Sequence, residues 1–367
     1  MITDIELKNF KCFVSQGLRV RELTIIAGGN AAGKSSIVQS LLVLRQAFAT
    51  QKELVTVPLA GQLVNLVNAN QILSMNAVTP EIRITVSDDN LEEDFWLEIP
   101  EAGSSDRQPP CIVSDNFGIA EKESALFGKS FLYLNASRII PQEEYVPRQN
   151  SDTDSRLGDR SGHRTAFRLV EALDSNESLS VPSLDIAGDN SVASNVSSWL
   201  SYIMGMDMTV SADGSFTEGR VRLQFIPKGA SAVSALNMAF GNTYILPIIV
   251  GVLTASAGSL IIIENPEAHL HPKAQLRTGE LLAKAADSGI QIIVETHSDH
   301  LLNGVRVSAK KKQIDTAKVA IHFVESIDSD HRLTELELHQ DGSLSSWPPG
   351  FFDEWENALR NIISSKA

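Results

Sequence analysis

The sequence predicts an α/β protein: a mixed, largely parallel sheet flanked by helices, with a β/α lobe inserted between two parts of the sheet. Three observations carry this expectation. The chain opens as strand, turn, strand, glycine-rich loop and helix; it returns after Leu236 to a regular alternation of short apolar strands and longer helices; and between these regions the periodicity is patchy and broken by polar loops. Alternating strands and helices build a parallel sheet covered on both faces, so the two ends of the chain are expected to share one sheet. The expected units are residues 1–54 and 236–340 as two parts of a core, 55–235 as the inserted lobe, and 341–367 as a closing segment. No internal repeat or heptad run indicates a solenoid or a coiled-coil arm.

In order, "ITDIELKNF" alternates polar and apolar residues as a half-buried strand does, and "ELTIIA" is short and apolar as a buried strand is. In "KSSIVQSLLVLRQAF" the residues Ile37, Leu41, Leu44 and Phe48 recur at helical spacing, which predicts one apolar stripe. Strands are expected near "EIRITV", "DFWLEI", "SFLYLN" and "GRVRLQFI", helices near "HRTAFRLVEAL" and "ASNVSSWLSYIM", and a polar loop over residues 148–164. The last third gives helix "YILPIIVGVLTA", strand "SLIII", helix "PKAQLRTGELLAKAA" opened by Pro272, strand "IQIIVET", helix "SDHLLNGVRV", and strands "KVAIHFV" and "LTELEL".

Hydrophobic residues make up 43% of the chain and charged residues 21%, enough apolar content for a sizeable core. Cys12 and Cys111 supply neither a disulfide framework nor a zinc-knuckle spacing, and the acidic start lacks the basic then apolar run of a secretory signal. Both features point to the cytoplasm. Residues 244–263 carry no charge, a length that can span a bilayer, but "TASAGS" divides them into helix and strand lengths suited to a buried core, so no membrane is expected. The net charge of -14 does not indicate nucleic acid, which would need a local basic groove. The densest basic run, "AKKKQ" at 309–313, is expected to be a solvated loop.

"GGNAAGKSS", residues 28–36, matches G-x-x-x-x-G-K-[ST] in the right context, with a buried strand before it and an amphipathic helix after it. Gly28, Asn30, Ala31, Ala32, Gly33, Lys34, Ser35 and Ser36 are expected to cradle the phosphates of ATP through backbone N–H groups and the helix N-terminus. Lys34 would reach the β and γ phosphates, and Ser35 would ligate Mg2+. In "SLIIIENPEAHLHP", residues 259–272, an apolar strand delivers Glu264 to the carboxyl edge of the sheet, where such sheets bind ligands; Glu264 is the second expected Mg2+ partner. "IIVETHSDHLL", residues 292–302, brings Glu295, Thr296 and His297 to the same edge, where an imidazole can bond a γ phosphate or the attacking water. His269 and His271 form an H-x-H spacing that, with Glu267 and His300, also suits a metal.

Together "GGNAAGKS", "IIIENPEAHLHP" and "ETHSDHLL" resemble the compact ABC-type ATPases of the SMC, RecF and overcoming-lysogenization-defect kind. The ending "DGSLSSWPPGFFDEWENAL", residues 341–359, is similar to AAA-class ATPases of prokaryotic anti-phage defence systems, and "YLNASRIIPQEEY", residues 133–145, is similar to a family YL-x-x-x-R-x-x-P segment. The resemblance implies an ABC-type P-loop NTPase head, with 341–367 as its family-specific end. It also implies an ATP sandwich, a homodimer or higher even oligomer in which one subunit's phosphate loop faces a signature segment of another. Here that segment is "MAFGNTYILP", residues 238–247. The family pattern F-G-x-S-Q places Gly241 on the phosphate and Thr243 in the serine position, while Tyr244 replaces the customary Gln. A helix N-cap fits Thr243 equally well. For His269 and His271 the resemblance implies a share in shaping the dimer interface.

One departure bears on the chemistry. Where the family has a catalytic Glu, this chain has Asn265. An amide can orient a water but cannot take its proton, and a missing general base costs about 10²- to 10⁴-fold. Glu267 or Glu295 could substitute, and phosphoryl transfer rests mostly on positioning and charge stabilisation. Weak, partner-stimulated ATPase activity is therefore expected, with Glu264, Asn265, Glu267 and His297 at the reacting end. The function this implies is a nucleotide-gated sensor or regulator of an effector such as a nuclease, in anti-phage defence. Two alternatives stand beside it: a RecF- or SMC-type ATPase acting directly on DNA, and a scaffold that binds ATP for stability alone.

Overall fold

The computed structural model describes residues 1–50, 54–146, 162–215, 219–327 and 330–364. Its strands are β1 (Ile2–Phe10), β2 (Phe13–Arg19), β3 (Leu23–Gly28), β4 (Ile82–Asp88), β5 (Phe95–Ile99), β6 (Ile112–Val113), β7 (Phe131–Leu134), β8 (Met208–Ser215), β9 (Arg220–Pro227), β10 (Val233–Ser234), β11 (Leu260–Glu264), β12 (Gln291–Thr296), β13 (Val319–Ile327) and β14 (Asp330–Leu336). The helices are α1 (Lys34–Thr50), α2 (Ala69–Ile72), α3 (Phe117–Glu123), α4 (Thr165–Asp174), α5 (Val192–Met204), α6 (Phe240–Leu253), α7 (Pro272–Asp287), α8 (Asp299–Lys310) and α9 (Glu354–Ser364).

The central sheet has the order β14-β13-β3-β12-β11-β7. Every pairing from β13 to β7 is parallel, and β14 closes one edge antiparallel to β13. Both ends of the chain thus supply one mixed, largely parallel sheet. Its inner strands β3, β11 and β12 carry apolar runs because alternate residues enter different cores. Leu23, Ile25, Ile261, Ile263, Ile292 and Val294 enter one. Ile26, Ile262 and Ile293 enter the other, on the opposite face.

Residues 55–235 divide among three sheets. β4, β5 and β6 extend an antiparallel sheet begun by β1 and β2, in the order β2-β1-β4-β5-β6. β7 joins the central sheet beside β11, and β8, β9 and β10 form a small antiparallel sheet with α4 and α5 against it. The turn expected between the first two strands is β2, an edge strand in which only Phe13 and Leu18 are buried, so it carries little apolar pattern. The polar loop expected at 148–164 lies outside the described residues as far as 161.

The single stripe expected of α1 is corrected by the structure. Val38, Leu42 and Val43 are buried as well as Ile37, Leu41 and Leu44, and so are Arg45 and Gln46. The helix touches β1, β3 and β12, so it is walled by two sheets and needs apolar residues all round. Residues 244–263 divide into α6 and β11, and among the described residues no helix is long and apolar enough to cross a membrane.

α7 and α8 cross at Gly279 and Gly304. A Cβ on Gly279 would lie 2.2 Å from the carbonyl oxygen of Leu301, and one on Gly304 would lie 2.0 Å from that of Leu276. This close crossing fixes the helix after β11 against the helix after β12. The closing segment packs back on the core: Phe351 is buried edge-to-face against Phe323 of β13, with centroids 5.1 Å apart, and Arg306 of α8 lies over the Trp347 ring.

Candidate functional site

The loop from β3 to α1 folds into a concave turn because Gly28, Ala31 and Gly33 take positive φ values of 151°, 59° and 115°. Such turns aim successive N–H groups inward and receive anions. A Cβ on Gly28 would meet the Val324 carbonyl oxygen at 2.1 Å, and one on Gly33 would meet Cys12 Sγ at 2.6 Å, so both positions require glycine. Lys34 folds over this loop and donates from Nζ to the carbonyls of Gly28 and Gly29, at 3.0 and 2.7 Å. Its burial lowers its pKa, against the pull of Glu295 and Glu267. Asn30, Ala31 and Ser35 are exposed at the turn, whereas Ala32 and Ser36 are buried. The Ala32 carbonyl lies 2.7 Å from Nδ1 of His331 on β14.

Beside the loop, Glu264 and Glu295 occupy paired register positions at the ends of β11 and β12. Their carboxylates have different partners. Glu264 accepts from the Tyr133 hydroxyl at 2.9 Å and from Ala136 N at 3.3 Å, which ties it to the end of β7. Glu295 accepts from the Ser35 hydroxyl at 2.8 Å on Oε1, while its buried Oε2 has no partner. The Glu295 carboxyl is pushed up to about 7, first by burial and further by Glu264 and Glu267; the Ser35 hydrogen bond and Lys34 oppose this. Of the two residues expected to share a cation, Ser35 therefore meets Glu295, not Glu264.

Asn265 follows Glu264 in a left-handed conformation, φ 45°, which asparagine tolerates. Its backbone N–H donates to the Glu295 carbonyl at 2.8 Å, and its side chain reaches Glu267 at 3.4 Å. Glu267 also accepts from Thr296 Oγ1 at 2.7 Å and from His297 N at 2.8 Å, so it pins the segment between β12 and α8. His297 is exposed, and burial of its ring and the neighbouring Lys34 lower its pKa, favouring the neutral imidazole.

Arg138 is the residue that motif reading left without a role. It is buried, donates to the carbonyls of Glu264 at 2.6 Å and Asn265 at 2.5 Å, and lies 4.2 Å over the Tyr244 ring. Burial lowers its pKa to about 10, against the pull of Tyr244, Glu267 and Glu264. Tyr244 donates to the Ala136 carbonyl and stacks edge-on against His269, which in turn packs on the half-exposed Phe240. The position where the family has Gln thus carries an aromatic stack from the start of α6 to the turn at Asn265. The only sequence signal for Arg138 was the sparse YL-x-x-x-R-x-x-P segment.

Gly241 and Thr243 both lie buried within the first turns of α6. Thr243 is wholly buried with Oγ1 unpartnered, and a Cβ on Gly241 would lie 2.8 Å from the His269 carbonyl. Thr243 also falls inside α6, three residues past its start, so it is not the N-cap. What this segment exposes is Ala239 and Phe240. His271 caps α7 by accepting from Lys273 N, and His269 belongs to the aromatic stack. Among the described residues no group of three or more His, Cys, Asp or Glu side chains is placed to hold a metal.

The phosphate loop, the paired carboxylates and the parallel sheet define an ABC-type P-loop ATPase head. The chain belongs to the family described as "AAA domain, putative AbiEii toxin, Type IV TA system", whose model matches residues 87–303. An "AAA ATPase domain" model matches residues 1–155, and a protein-of-unknown-function model, DUF3696, matches 314–362. No curated protein matches the chain. Among solved structures it is similar to an Smc head bound to the C-winged helix domain of ScpA, at 14% identity and TM-score 0.57, covering 92% of this chain and 98% of that one. An Smc head with an extended coiled coil, bound to the C-terminal domain of ScpA derived from Pyrococcus furiosus, matches at 12% identity and TM-score 0.55, covering 100% and 99%. The SMC head domain from Thermotoga maritima matches at 11% identity and TM-score 0.51, covering 92% and 99%. At these identities the likeness is one of fold.

Proposed function

We propose that the chain is an ATP-binding, slowly hydrolysing ATPase that works as a nucleotide-gated dimeric regulator of an effector protein, such as a nuclease, in anti-phage defence. The observation that carries this reading is a phosphate cradle built in full beside a hydrolytic pair in which Asn265 stands where a base belongs. The family description, which names a toxin of a toxin–antitoxin system, supports the defence setting.

The residues fit a hard divalent cation such as Mg2+. They offer a hydroxyl and two carboxylates, all oxygen donors, and one buried carboxylate oxygen lacks a partner. Bound with ATP, Mg2+ would neutralise charge on the β and γ phosphates. The chain's own residues then divide the work. Backbone N–H groups of residues 28–36 bind the phosphates, and Lys34 exchanges the Gly28 and Gly29 carbonyls for phosphate oxygens. Ser35 and Glu264 would hold the cation. Neutral His297 lies next to Lys34 and can bond the γ phosphate or the attacking water, and Asn265 can orient that water without taking its proton. Glu267 holds the segment carrying His297.

A second subunit would meet the site through Ala239 and Phe240 at the start of α6, since Gly241 and Thr243 are buried. A pull-down of the full chain with ATP and with ADP tests the reading. It predicts an effector retained with one nucleotide and released with the other. Identical partners in both states would refute the gate, and DNA-stimulated turnover with steep salt dependence would favour direct action on DNA.

A further inference from the structure

We propose that Glu295 is a direct ligand of the divalent cation that accompanies the nucleotide, beside Ser35. This rests on the nucleotide-binding reading above and adds a residue to it. Three observations support it. Glu295 is only 4% exposed, and its Oε2 is buried without a partner, so a polar oxygen lies unsatisfied at the edge of the phosphate loop. The neighbouring cation Lys34 gives its hydrogen bonds to Gly28 and Gly29 instead. Glu264 has both oxygens engaged, by Tyr133 and Ala136 at the end of β7, and so is placed to act through water.

The spacing agrees. Ser35 Oγ and Glu295 Oε1 are 2.8 Å apart. Adjacent ligands of an octahedral Mg2+, each about 2.1 Å from the ion, stand about 3 Å apart. Mg2+ also takes one or two carboxylates and fills its other positions with water and phosphate oxygens, which matches a site without a cage of three protein ligands. A hydrolytic base, by contrast, must reach the water beyond the γ phosphate, whereas Glu295 faces Ser35 beside the phosphate loop.

The test uses the full chain as wild type, Glu295→Gln and Glu264→Gln. Nucleotide affinity is first measured in EDTA. Mn2+ is then titrated into each protein with a non-hydrolysable ATP analogue, and free ion is read by electron paramagnetic resonance. Glu295→Gln is expected to bind nucleotide in EDTA as wild type does but to hold Mn2+ about tenfold or more weakly, with a smaller loss for Glu264→Gln. A Glu295→Cys variant should shift preference from Mg2+ toward Cd2+, a change that a merely structural residue would not cause. Wild-type Mn2+ affinity in Glu295→Gln overturns the proposal and leaves the nucleotide reading intact, and so does loss of nucleotide affinity in EDTA by that variant alone. Wild type that binds no nucleotide with or without metal overturns both. If Glu295→Gln does not fold, Glu295→Asp is read by the same criterion.

Discussion

The hydroxyl of Ser35 donates to Glu295 across 2.8 Å, joining the first turn of α1 to the end of β12. Glu295 also receives the Asn265 N–H on its carbonyl, and Glu267 reaches across to Thr296 and His297. The phosphate loop, the turn after β11 and the segment after β12 are therefore one hydrogen-bonded unit. A displacement of one of them is passed to the others, the coupling that the proposed gate requires.

Asn265→Glu supplies the missing base. ATP turnover under saturating nucleotide is expected to rise by as much as about 10²- to 10⁴-fold. The φ of 45° suits Asn better than Glu, so the variant should also lose about 1 kcal/mol of stability in a denaturant melt. Unchanged turnover would show that proton transfer does not limit the reaction.

Arg138→Met removes the donor held by the carbonyls of Glu264 and Asn265 and the cation over Tyr244. Unpaired buried carbonyls cost about 1–3 kcal/mol each, so a clear fall in melting temperature is expected, together with loss of nucleotide-dependent effector binding. Retained gating at unchanged stability would show that the stack from Phe240 to Arg138 carries no coupling.

Gly279→Ala forces a Cβ against the Leu301 carbonyl oxygen at a crossing that leaves 2.2 Å. Overpacking of this kind costs about 1–3 kcal/mol, read as a lower denaturant midpoint at an unchanged m-value. A midpoint equal to wild type would mean that α7 and α8 part freely.

His322 sets a pH dependence. Burial lowers its pKa below the ordinary 6.5, with Arg19 adding to this and its bond to the Arg19 carbonyl and Glu335 opposing it. Nε2 lies 2.6 Å from that carbonyl, and Nδ1 is buried without a partner. The unfolded chain thus binds more protons than the folded one between the depressed value and 6.5. Stability from this group is full above 6.5 and is lost as pH falls through that window. In urea melts His322→Gln, which cannot titrate, should flatten that slope, and an unaltered slope would assign it to other groups.

Much of the fold was legible because it rests on strong periodic signals. "SLIII" and "IQIIVET" carry uninterrupted apolar runs, Leu260 to Ile263 and Ile292 to Val294, as strands covered on both faces do, and they became β11 and β12. β2 was missed because an edge strand buries two residues, and the all-round burial of α1 depends on a second sheet that no local window reveals. At the site, the loop glycines and strand-end carboxylates were readable from spacing. The pairing of Ser35 with Glu295 rather than Glu264 was not, because it follows from β7 capturing Glu264 through Tyr133. The burial of Thr243 was hidden for a similar reason: the motif fixes residue type, whereas the depth of α6 in the core fixes exposure.

In the proposed function, a nucleoside triphosphate held at Lys34 closes two copies of this chain on each other. Light scattering of wild type and Lys34→Ala, each with Mg2+ and a non-hydrolysable ATP analogue and again with ADP, tests it most directly. Wild type is expected to gain mass with the triphosphate analogue alone, and Lys34→Ala to gain none. Equal masses for the two proteins in every nucleotide state would contradict it.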